Sequence, residues 1–245
     1  MTRSIPSVFF FLSSTLFCAS LAHAQAPAAK DIADAQRLYY QANAGTSAQP
    51  LRTALEGTKG FLGDGTFQAG ALRTFDGRRR PIPGLRYHVG QHVLEAQDSL
   101  NTKLTHLWPV GSLRGFDIGE EEATPRRFRP RLVRDGGVSG TRREYVEVLT
   151  TLDGGPLVLG WVYSPTPAEA IGAYAPLQTL VAGPGYAGSE ALRPLELTQA
   201  AVSRLFGKRA DQVRTFATSE NLHYDQPADV ARLVDYFNRV AVAKW

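Results

Sequence analysis

From about residue 60 onward the chain is punctuated by glycine-containing turns, Asp64-Gly65, Asp76-Gly77 and Asp153-Gly154-Gly155, which separate short segments rich in valine, leucine, phenylalanine and tyrosine. That rhythm belongs to an antiparallel meander. Strands are expected around residues 67 to 75, 103 to 110, 113 to 118, 127 to 133, 144 to 152 and 157 to 163, with a last pair at 177 to 182 and 192 to 197. One hairpin can be worked out residue by residue, from Leu85 to Ala96. Gly90-Gln91 fits a two-residue type II′ turn, with the glycine where positive φ is needed. Pairing Val89 with His92 then sets Tyr87 against Leu94 and Leu85 against Ala96 on an apolar face. Arg86 meets Glu95, and His88 meets Val93, on the other.

Beyond residue 197 the apolar period changes from two to that of a helix. Thr198 can cap a helix that ends at Gly207, residues 209 to 219 read as a second, and Asp225 with Pro227 opens a third through Val242. Val230, Leu233, Val234 and Phe237 form the buried stripe of the third. The fold class expected is therefore α+β, mainly β: a twisted antiparallel meander or partial barrel followed by a short C-terminal helical bundle. A β domain over residues 60 to 197 and a helical segment over 198 to 245 follow an N-terminal helix and linker over 25 to 59. Ile32, Ala35, Leu38 and Tyr39 carry the helical pattern there, and a Gly/Ser/Pro-containing stretch at 44 to 50 is the linker.

Residues 1 to 24 have the layout of a cleavable export signal. Arg3 precedes the apolar run Val8 to Leu12 and then Leu16 to Ala19, and Ala22-His23-Ala24 offers small residues where a signal peptidase reads them, placing cleavage between Ala24 and Gln25. The run is too short and interrupted to span a bilayer. A lipid anchor on Cys18 is the competing reading, opposed by the bulk of Phe17 before it. Cleavage removes the one cysteine, so the mature chain forms no disulfide and has no thiol chemistry or cysteine-held metal. The expected location is periplasmic or secreted, with no transmembrane segment in the mature chain.

The whole chain carries 27 basic and 23 acidic side chains, a formal net charge of +4, so the total says little about partners. Distribution says more: Arg78-Arg79-Arg80 and the stretch from Arg126 to Arg143 concentrate the excess. The stretch from Arg126-Arg127-Phe128 through Arg142-Arg143-Glu144-Tyr145-Val146-Glu147-Val148-Leu149, with Leu205-Phe206-Gly207 and the tail from Ala228 to Asn238, resembles a group of exported, uncharacterised bacterial envelope proteins. The resemblance covers most of the mature chain and implies no activity, cofactor or catalytic residue.

Several motifs fail as chemistry. Gly183-Pro184-Gly185-Tyr186-Ala187-Gly188 matches the dinucleotide fingerprint, but Pro194 interrupts the helix that should follow, and it reads as a glycine-rich β-turn. His88, His92 and Glu95 would cluster on a helix, whereas the hairpin places the two histidines on opposite faces, so no metal site is expected. Ser139 is one residue out of a nucleophile elbow, and Asp64-Gly65-Thr66 reverses the order an aspartic protease needs. No cofactor is expected.

The strongest local signal is the segment 126 to 134, in which Phe128, Pro130 and Leu132 alternate with Arg127, Arg129 and Arg131. One strand face is then a row of guanidinium groups, suited to phosphates and carboxylates. The bland alternative is a solvated edge strand protected by charge and by Pro130, with Glu120-Glu121-Glu122 as neutralising neighbours. Either way the arginines are expected in solvent. The preferred expectation is a non-enzymatic cell-envelope protein that contacts an envelope protein or an anionic envelope polymer. The alternative is a module that binds lipopolysaccharide, anionic lipid or acidic glycan through Arg127, Arg129, Arg131, Arg142 and Arg143. A glycan-active or other hydrolase comes third, and nucleic acid is not expected.

Overall fold

The computed structural model describes residues 60 to 119, 124 to 134, 140 to 165, 176 to 186 and 190 to 242. The export signal, the 25 to 59 segment, Glu120 to Glu122 and Ser139 lie outside the described residues.

Among the described residues, ten strands make one antiparallel sheet in the order β10-β9-β8-β7-β6-β5-β1-β2-β3-β4. They are β1 Gln68–Arg73, β2 Arg79–His88, β3 Val93–Gln97, β4 Thr105–Pro109, β5 Gly115–Ile118, β6 Arg126–Arg134, β7 Thr141–Val148, β8 Val158–Ser164, β9 Leu177–Gly183 and the short β10 Arg193–Pro194. The mainly β expectation holds, but the connectivity is two meanders rather than one. β1 to β4 run in sequence; β5 then returns to the free edge of β1, and β6 to β10 continue from there. The connection that crosses back carries Leu113 into the core, 1% exposed.

The sheet curls tightly without closing. Tyr87 on β2 meets Tyr145 on β7 edge-on at 5.7 Å, although three strands stand between them in the sheet. The Tyr145 hydroxyl donates to the Pro109 carbonyl at the end of β4, 3.2 Å away. Inside the curl lie Leu85, Leu94, Phe116 and Phe128, the two phenylalanine rings stacked 4.7 Å apart. Each comes from the inward parity of its strand, as period-two burial requires. On β8 and β9 the same face continues as Leu159, Leu180 and Ala182, and the helices cover it. The opposite face of the later strands gathers Val133, Val146, Val162, Val181 and Leu192. There the segment before β10 swings back to β6, bridging Leu192 to Val133 in parallel.

The helices are α1 Gln199–Leu205, α2 Ala210–Ser219 and α3 Pro227–Val242. Thr198 caps α1, its side chain accepting from the Ala201 amide at 3.2 Å, and Pro227 occupies the first position of α3, where a missing N–H costs nothing. Asn238 binds α3 to the sheet as a peptide would. Its amide nitrogen donates to the Leu157 carbonyl at 2.8 Å, and its oxygen accepts from the Leu157 amide at 2.9 Å. No helix among the described residues is long and apolar enough to cross a membrane.

The β2–β3 register is the one the sequence predicts, Leu85 with Ala96 through His88 with Val93, and Arg86 donates to Glu95 at 2.7 Å. The turn is not type II′. Positive φ falls on His92, at 51°, and not on Gly90. The loop is four residues, 89 to 92, closed by the His92 amide on the Val89 carbonyl. His88 explains the shift, because its Nδ1 accepts from the Gln91 amide at 3.0 Å and holds the loop from inside. β2 also begins earlier than the hairpin suggested, taking in Arg79 and Arg80.

Candidate functional site

The arginine segment is not an edge strand and its row is not solvated. β6 lies inside the sheet, paired with β5 over Arg126 to Phe128 and with β7 over Phe128 to Arg134. Arg129 is 4% exposed. What makes this tolerable is two aspartates far away in sequence, since a buried guanidinium must be paired and hydrogen-bonded. Asp117, on β5 and 1% exposed, lies 2.8 Å from Arg129 Nη1. Asp153, in the turn after β7, accepts from Arg129 Nε at 2.6 Å. Arg73 donates to Asp117 at 2.9 Å, and Arg127 donates to Asp153 at 2.9 Å and to the Thr151 carbonyl at 2.8 Å. Arg129 therefore bridges two carboxylates, each shared with another arginine.

The local fold requires this bridge. β5 leaves β6 after Phe128, and the segment at Leu192 joins β6 only at Val133, so the β6 edge between them has no strand partner among the described residues. Pro130, which has no N–H to offer, sits in that interval. Arg129 fills the start of the gap by donating Nη1 to the carbonyls of Phe116, at 3.1 Å, and Phe128, at 2.9 Å. Gly115 makes room for it: at φ 149°, a β-carbon there would lie 2.3 Å from the Phe128 carbonyl oxygen and 2.8 Å from Arg129 Cδ.

Over the gap the surface opens into a groove of about 530 Å³, walled by Arg73, Arg114, Arg129, Arg131 and Arg143, with Asp153 as its acidic side chain. Arg131 donates to the Asp153 carbonyl, and its Nε is buried with no hydrogen-bond partner among the described residues, as is Arg129 Nη2. Burial pushes the Arg131 pKa down, with Arg129 adding to the effect and Asp153 opposing it. Arg114 and Arg143 are exposed, and neither side chain forms an ion pair or hydrogen bond among the described residues. A second hollow of about 280 Å³ adjoins the first, sharing Pro130, Arg131, Arg143 and Tyr186. A larger one, about 930 Å³ between β10 and α1, mixes Arg134, Arg193 and Arg204 with Glu190 and Glu196, and so has no single sign of charge.

Of the five arginines expected to form a site, Arg129, Arg131 and Arg143 line this groove. Arg127 is tied beneath it to Asp153. Arg142 pairs with the buried Glu144 at 2.5 Å, which His92 also approaches at 2.6 Å. Arg73 and Arg114 were not legible as members, since they come from β1 and from the connection before β5. Of the Gly183 to Gly188 motif, Tyr186 joins the groove wall, Ala187 and Gly188 lie outside the described residues, and the next described element is β10. Among the described residues, no group of three or more histidine, cysteine, aspartate or glutamate side chains that could hold a metal ion occurs.

Comparison of the chain with protein-family models, with curated proteins and with solved structures returns no match.

Proposed function

We propose that this protein is an exported, non-enzymatic module that binds an anionic ligand in the arginine groove over the gap in β6. The observation that carries the proposal is the imbalance of charge in one concave place. Five arginines converge there; Asp117 and Asp153 pair with Arg73 and Arg129, and the side chains of Arg114, Arg131 and Arg143 form no ion pair among the described residues. Guanidinium forks with free N–H groups at a groove are donors for carboxylate or phosphate oxygens. Walls of low dielectric strengthen their field. A purely structural lattice accounts for Arg73, Arg127 and Arg129 but gives no reason for Arg114 and Arg143 to face the same hollow. Hydrolysis by a carboxylate pair is disfavoured, because Asp117 and Asp153 are both occupied by arginines and are separated by one.

Export rests on the sequence of residues 1 to 24, and N-terminal sequencing of the secreted or periplasmic form should begin at Gln25. Binding is tested by titrating lipopolysaccharide, anionic vesicles and acidic polysaccharide at low and physiological salt. Wild type should bind at least one of them, more weakly as salt screens the arginines over a Debye length of about 8 Å. Arg114→Gln/Arg143→Gln, both at exposed positions, should fold normally and lose most of that binding. No binding to any of the three, or equal binding by the folded double variant, would refute the reading.

A further inference from the structure

Among the described residues, the two large aromatic side chains that stand exposed are Phe75, 45% exposed, and Tyr186, 64% exposed. Both line the arginine groove. Every other phenylalanine, tyrosine or tryptophan described is at least partly buried. Tyr186 also borders the adjoining hollow together with Arg131 and Arg143, so an aromatic ring and two guanidiniums stand where the two cavities meet. Exposed aromatic rings cost solvation free energy and serve recognition when they line a cleft beside polar donors.

We infer that the groove takes an acidic saccharide of more than one residue, its carboxylate or phosphate held by Arg114, Arg131 and Arg143 and its sugar rings stacked on Tyr186 and Phe75. This rests on the anion-binding reading above and narrows its ligand. A lipid acyl chain finds no aliphatic wall, since the main groove's apolar lining is Phe75, Pro130 and Tyr186 with glycines. The lining also carries the carboxylates of Asp153 and, in the second hollow, Glu190. The same carboxylates accept hydrogen bonds from hydroxyls, which a saccharide supplies in number. Two hollows that share a wall suit a ligand with at least two rings.

The test is calorimetric titration of the purified protein with trigalacturonate, maltotriose, inorganic phosphate and a short single-stranded oligonucleotide, using wild type, Tyr186→Ala and Tyr186→Phe. Trigalacturonate should bind more tightly than phosphate, and maltotriose should not bind. Tyr186→Ala should weaken trigalacturonate about three- to ten-fold while leaving phosphate unchanged, and Tyr186→Phe should keep wild-type affinity. Phosphate bound as well as trigalacturonate, or trigalacturonate indifferent to Tyr186→Ala, would overturn this inference and leave the anion site standing. Tighter binding of the oligonucleotide would replace the saccharide with nucleic acid. Failure of every anion to bind would remove both readings together.

Discussion

Replacing Arg129 by methionine keeps the bulk of the side chain and removes the guanidinium that bridges Asp117 and Asp153. Four interactions go at once: the ion pair to Asp117 at 2.8 Å, the bond to Asp153 at 2.6 Å, and the donations to the carbonyls of Phe116 and Phe128. Asp117, 1% exposed, keeps Arg73 at 2.8 Å. Breaking a buried pair costs roughly 3–5 kcal/mol because the surviving charge stays desolvated. The remaining arginine places the expected loss at the lower end, about 3 kcal/mol. With a urea m-value of about 2 kcal/mol/M, the unfolding midpoint should fall by about 1.5 M at unchanged slope. Arg127→Gln breaks contacts at the margin of the same lattice, to an Asp153 that is 34% exposed, and should cost about 1 kcal/mol or less. Adding Asp117→Asn to Arg129→Met should restore part of the loss by removing the orphaned charge. A midpoint shift below about 0.5 M for Arg129→Met, or a further loss in the double variant, would refute the bridging role.

Gly115→Ala should destabilise by about 2 kcal/mol or more, because the added carbon meets the Phe128 carbonyl and the Arg129 side chain and the φ is unfavourable; calorimetric melting that shows a neutral effect would contradict the close approach. His88 is 6% exposed, with the edge of Phe61 against it at 4.8 Å. Burial pushes its pKa below the ordinary value, Arg86 acting in the same direction. The folded pKa being depressed, the unfolded chain takes up the proton first. The stability His88 contributes is thus present above about pH 6.5 and lost as pH falls toward the folded value, at up to about 1.4 kcal/mol per pH unit. Urea unfolding across that window should show a shallower decline for His88→Gln, and an identical slope would refute it.

Local features were legible and distant ones were not. The β2–β3 register follows from alternation over residues 85 to 96, where both partners lie within one short stretch, and the helix starts at Thr198 and Pro227 follow from single residues with known roles at helix N-termini. The turn type failed because the imidazole of His88 overrode the preference of Gly90. The arginine row read as solvated because isolated charges are rarely buried. Its partners, Asp117 and Asp153, are set by topology: one is on β5, which joins the sheet through β1, and the other is in a turn 24 residues beyond Arg129. A lone aspartate within the apolar segment Gly115-Phe116-Asp117-Ile118 was the available signal. The groove itself arises from strand lengths, β5 ending opposite Phe128 and Leu192 joining only at Val133, which no local pattern encodes.

Arginine side-chain NMR tests the central claim most directly, since each Nε–Hε reports on its own surroundings. Titrating trigalacturonate, or phosphate, into protein labelled at arginine Nε should move the signals of Arg114, Arg131 and Arg143, which line the groove, in a saturable way. Arg78 and Arg232, which lie outside the groove, should stay in place. Shifts spread evenly over all exposed arginines, or confined to those outside the groove, would contradict the assignment of the anion site to the gap in β6.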